Sequence, residues 1–119
     1  MLTKKIILHL ALISALASCI PDPKIPADVI DMETMAKILA DVHLTEAKVN
    51  RLTFNDYDST RVAYVELERR IMAKYKVDTA KYKNSYKFYV KNPGLMVKVY
   101  DETLNILDER KQKKQIKTD

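Results

Sequence analysis

Glycine occurs once in these 119 residues, cysteine once, histidine twice and tryptophan not at all. Each scarcity removes a class of chemistry. A lone glycine, Gly94, cannot build the glycine-rich loop whose backbone N–H groups cradle a phosphate, so nucleotide chemistry is not expected. A lone cysteine cannot form a disulfide within the chain. Serine is sparse too: beyond Ser14 and Ser18 there are only Ser59 and Ser85, so nucleophiles are few. The long apolar run, Ile6 to Ala17, is about a dozen residues broken by His9 and Ser14. That is short of the ~20 residues a membrane-spanning helix needs.

The run belongs to an address. Lys4 and Lys5 precede it, and the small residues Ala17 and Ser18 close it immediately before Cys19. A charged start, a short apolar run and a small-residue cleavage site make a secretory signal. Leu16-Ala17-Ser18-Cys19 resembles the bacterial lipobox. The resemblance implies cleavage before Cys19, a diacylglyceryl group on its thiol and an acyl chain on its amine. Several chains at ~0.8 kcal/mol per buried CH₂ give a durable membrane hold. The alternative is an ordinary secreted protein. The lipid reading is preferred because it accounts for the odd cysteine. Pro21, Pro23 and Pro26 then read as a semi-rigid spacer. Ile20, rather than aspartate, follows the cysteine. By analogy with enterobacterial sorting, this points to the outer membrane, with periplasmic side or cell surface left open.

The expected division is therefore a signal peptide over 1–18, a lipidated cysteine and tether over 19–30, a helical domain over 31–108 and a basic tail over 109–119. The charge is unevenly spread. The body from Cys19 to Asp108 carries 14 basic and 14 acidic residues. The net charge of +5 comes from Lys4 and Lys5 of the leader and from the tail, where Arg110, Lys111, Lys113, Lys114 and Lys117 outnumber Glu109 and Asp119. Such a tail suits anionic headgroups or an acidic protein patch. It also suits a solvated helix C-terminus. Nucleic acid is not expected as a partner, because the leader sends the chain out of the cytoplasm.

The body reads as helix throughout. Asp31 caps a first helix to about Arg51, with Met35, Ile38, Leu39 and Val42 on one stripe. Ala36, Ala40 and Ala47 keep its adjoining faces thin enough for another helix to approach. Asp58 or Ser59 caps a second helix to about Tyr75, with Tyr64, Leu67 and Ile71 in line. Asp78 caps a third, Thr79 to about Lys91, with Tyr82, Tyr86, Tyr89 and Val90 in line. Asn92-Pro93 ends it, and Pro93 opens a fourth. The fourth carries Met96, Val99, Tyr100, Thr103, Leu104 and Leu107, and should fray beyond Leu107. The expected fold is all-α, a small bundle of three to four amphipathic helices behind the leader and tether.

Three segments together resemble a family of Bacteroidota lipoproteins known only as a domain of unknown function. They are MAKILADVHLTEA (Met35 to Ala47), KYKVDTAKYKNSYKFYVKNP (Lys74 to Pro93) and VYDETLNIL (Val99 to Leu107). The resemblance implies a small helical envelope lipoprotein and brings no catalytic residues.

Candidate sites are read from the residues alone. His43 and Glu46 lie three apart and share a helix face. Asp41 sits about 200° from His43 and points elsewhere. Two ligands fall short of the three or four protein ligands of a zinc site, so no metal or other cofactor is expected. The polar group reads as structural or as a partner contact. Tyr82, Tyr86 and Tyr89 read either as core with their hydroxyls at the rim or as a partner surface, since tyrosine is enriched at interfaces. With those tyrosines in the core, Phe88 should be exposed and could anchor a partner. The expectation is a non-catalytic module, on the membrane through Cys19, docking on an envelope protein. A small-ligand or lipid carrier is the alternative, with its pocket between the Met and Tyr stripes. An enzyme built on His43 and Glu46 comes third.

Overall fold

The computed structural model describes residues 21–51 and 57–117. The leader, Cys19 and the loop over 52–56 lie outside the described residues. Four helices follow in order: α1 (Met32–Val49), α2 (Tyr57–Lys74), α3 (Thr79–Lys91) and α4 (Pro93–Ile116). The described residues hold no strand. The all-α bundle is as the sequence suggests.

The helix starts follow from side-chain chemistry. The Thr34 N–H donates to Asp31 Oδ1 at 2.8 Å, and the Lys81 N–H to Asp78 Oδ1 at 2.8 Å. Each carboxylate satisfies an N–H that the helix leaves without a partner. α2 begins at Tyr57, so Asp58 lies in its first turn. There it complements the helix dipole rather than capping it. At the other end of α2 the Val77 N–H reaches back to the Met72 carbonyl and the Lys76 N–H to that of Ala73. Lys76 takes φ 54° to allow it. This is the left-handed stop of a Schellman turn, made here without glycine. Pro93 occupies the first turn of α4, where a missing N–H costs nothing.

α1 is the central helix. Tyr75, just past the end of α2, bonds the Lys37 carbonyl and Asp41, while Tyr64 of α2 bonds Asn50. The order of these contacts runs α2 antiparallel to α1. Thr103 meets Ala36 and Arg110 meets Asp41, so α4 runs in the same sense as α1. Ala36 and Ala40 are fully buried, and the small side chains let α4 approach. Met35, Ile38, Leu39, Ile71, Met72, Tyr89, Leu95 and Val99 fill the core between the helices.

Three expectations are corrected. The first concerns the stripe on α4. Leu95, Val99 and Thr103 are its buried residues, whereas Leu104 is 58% exposed. Apolar residues lie on more than one face of α4, so spacing alone does not choose. Thr103 wins because it is small, and because its hydroxyl donates to the Val99 carbonyl at 2.7 Å. The second is the tail. α4 stays helical to Ile116. Its polar residues are good helix formers, and Arg110 ties it to α1. The third is the tether. From Asp22 onward the segment expected as spacer touches the bundle: Asp22 pairs with Lys98, and Ile25, Val29 and Ile30 pack on the core. The Ile30 N–H donates to Ser85 Oγ at 2.9 Å, and Tyr89 Oη donates to the Ile30 carbonyl at 2.7 Å. α3 thus clasps the chain just before α1 begins.

Candidate functional site

Asp41 is the electrostatic node of the molecule. It accepts from Lys74 Nζ at 2.7 Å, Tyr75 Oη at 2.8 Å and an Arg110 guanidinium nitrogen at 2.6 Å. One carboxylate of α1 therefore ties down α2 and α4. Its side chain is 14% exposed. Burial pushes the Asp41 carboxyl up, but the hydrogen bonds from Lys74, Tyr75 and Arg110 outweigh it and hold the group below its ordinary value. Burial, then Asp41 beside it, pushes the Tyr75 hydroxyl up. The sequence placed Asp41 away from His43, as found, but did not reveal its partners. Nothing local marks a residue at position 110 as the counter-ion of one at 41.

His43 and Glu46 meet as their spacing implies, with Nδ1 and Oε2 3.3 Å apart. Both side chains are more than 40% exposed. The His43 ring lies 6.1 Å from that of Tyr100 on α4. Tyr82 and Tyr86 of α3 stack obliquely, with centroids 6.3 Å apart. Burial pushes the Tyr82 hydroxyl up to about 12, helped by the neighbouring Tyr86 and Glu68. Tyr100 is raised by burial and then by Tyr86. Side chains from α1, α3 and α4 thus meet in one mixed aromatic and polar seam. Among the described residues no group of three or more His, Cys, Asp or Glu side chains is placed to hold a metal ion.

The expected aromatic surface divides. Tyr89 is fully buried and Tyr82 and Tyr86 are half-buried. Phe88 is not the free anchor the spacing suggested. It is half-buried against the core, edge-on to Tyr89 with centroids 5.5 Å apart. At the α3–α4 joint, Asn92 Nδ2 donates to the Phe88 carbonyl at 2.7 Å. Ser85 is fully buried, and its hydroxyl accepts from the Ile30 N–H.

Between the C-terminal halves of α1 and α4 lies an open groove of about 680 Å³. Leu44 and Ala47 of α1 and Leu107 of α4 line its apolar part. Lys48, Arg51, Lys111 and Lys114 stand around it, with Asp108 the acidic exception. Two helix C-termini pointing the same way bring two negative dipole ends together, which favours cations there. Of the other tail residues, Lys113 lies 3.8 Å from Glu109 and Lys117 caps α4. Sequence reasoning singled out Lys111 and Lys114 but not Lys48, Arg51 or the groove, which joins the ends of two parallel helices.

No helix among the described residues is long and apolar enough to cross a membrane. The fold and its surface define a small all-α domain, with a filled core and a cation-rimmed groove at one end. Residues 26–113 match the profile of the family described as Domain of unknown function (DUF4296), and the chain belongs to that family. No curated protein and no solved structure matches it.

Proposed function

We propose that the chain is a non-catalytic interaction module of the bacterial cell envelope, of Bacteroidota type, held on the outer membrane by lipids on Cys19. It docks on an outer-membrane protein or on the machinery that assembles or exports one. The location rests on the leader and the Leu16-Ala17-Ser18-Cys19 motif. The docking role rests on one observation: apolar side chains that the bundle does not use. Val97 and Leu104 on α4 are 59% and 58% exposed. They fall in line with the half-buried Tyr100 and Leu107, three or four residues apart, so α4 presents a second, partly open apolar stripe beside the one it buries. Contiguous exposed apolar surface of this kind marks interaction sites. Anchoring raises local concentration and makes a modest interface effective.

In-cell crosslinking of the native chain, followed by purification, tests the role. The expected result is one stoichiometric envelope protein. Recovery of the chain alone, where known envelope complexes are caught, rejects it.

The carrier reading has one observation in its favour. The groove volume falls within the ~300–1,000 Å³ of small-molecule sites. Against it, the region between the Met and Tyr stripes is filled, with Met35, Ile38, Val99 and Tyr89 fully buried. An enzyme centred on His43 and Glu46 has less support, since both are open to solvent and pair only with each other among the described polar contacts.

A further inference from the structure

We propose that the groove between α1 and α4 receives an acidic amphipathic helix of the envelope partner, at the end of the molecule away from the membrane anchor. The inference rests on the docking role above and assigns it a face and a partner chemistry.

Shape comes first. The exposed Val97 and Leu104 lead along α4, past the half-buried Tyr100, to the half-buried Leu107, which lines the groove with Leu44 and Ala47 of α1. Leu44 and Ala47 are three apart on α1, as are Leu104 and Leu107 on α4, so each pair shares a helix face. Two parallel helices with an apolar trough between them offer a seat for a third. Recognition by apolar anchors at helical spacing is the helix-in-groove mode.

Charge selects the occupant. Lys48, Arg51 and Lys111 rim the groove, and none of them is in an ion pair among the described residues. An acidic helix complements them and is steered toward them. A second copy of this chain is disfavoured, because an isologous two-fold contact through the groove would set these cations against themselves.

Position argues against the anchoring membrane as occupant. Asp22 sits beside Gly94 and pairs with Lys98, in the first turns of α4. Cys19 is three residues from Asp22, at most about 10 Å of chain. Lys111 lies thirteen residues beyond Lys98 on the same helix, about 20 Å along the axis. The lipid and the cations therefore belong to opposite ends.

The test places a photo-crosslinking side chain at each of four exposed positions of the full-length chain in its native cells. Ala47 and Asp108, which line the groove, report on it; Glu33 and Arg69 report on other faces. The crosslinked segment is mapped by mass spectrometry. The expected result is crosslinking from Ala47 and Asp108 to an acidic amphipathic segment of an envelope protein. The paired substitution Lys48→Glu and Lys111→Glu should cut that yield about tenfold, as should high salt. Lys48→Gln with Lys111→Gln, which removes charge without reversing it, serves if the first pair disturbs folding by circular dichroism. Crosslinks from the groove to phospholipid, to a second copy, or to a basic or uncharged segment overturn the inference. Protein crosslinks confined to Glu33 and Arg69 overturn it too, but leave the docking role standing. No protein crosslink from any of the four positions removes both.

Discussion

Tyr89 shows how much one side chain can fix. Its ring is fully buried, and its hydroxyl satisfies the Ile30 carbonyl while Ser85 satisfies the Ile30 N–H. Tyr89→Phe keeps the ring and orphans a buried carbonyl. It should cost about 1–2 kcal/mol, read as a lower urea midpoint with an unchanged slope. Asp41 carries a different kind of weight. Its carboxyl ionises more readily folded than unfolded, so its stabilising effect is complete above the ordinary carboxylate value. The effect is lost as pH falls through the lowered folded value. Asp41→Asn should cost about 2 kcal/mol near neutral pH. The gap to the parent chain should close as thermal melts are taken down through the acid range. A gap that stays constant with pH would sink the assignment of Asp41 as an ionised node.

At the level of the element, the four helices and the starts of α1, α3 and α4 were legible because caps are local. Asp31, Asp78 and Pro93 act on N–H groups within three residues of themselves, so their sequence signals suffice. α4 was harder for a physical reason. It has apolar residues on two faces, and the buried one is decided by Ala36 and Ala40 on another helix. The same non-locality hid the Asp41–Arg110 pair, the groove and the packing of Ile30, each of which joins residues more than fifty apart in the chain. The two faces of α4 should respond differently to substitution. Val99→Ala, in the core, should cost about 1–3 kcal/mol. Leu104→Ala, on the exposed face, should stay within about 0.5 kcal/mol in the isolated chain. Equal losses at the two sites in chemical denaturation would mean that the isolated bundle buries both faces.

Across the whole molecule the parts sort by end. The described chain enters beside the start of α4, is clasped by α3 at Ile30, and only then becomes α1. The groove and its cations lie where α1 and α4 finish. Docking there would leave the clasp untouched, so Tyr89→Phe and the paired lysine reversals should act independently: the first on stability, the second on crosslinking. The clasp also has a mechanical meaning. A pull on the N-terminal segment meets the Asp22–Lys98 pair and then the two bonds at Ile30 before it reaches the first turn of α1. Those bonds hand the tension to α3 and α4 and shield the central helix from being drawn out end first. A body tugged between a membrane and a partner at its far tip would be strained along α4, the longest of the described helices, while its core stayed slack.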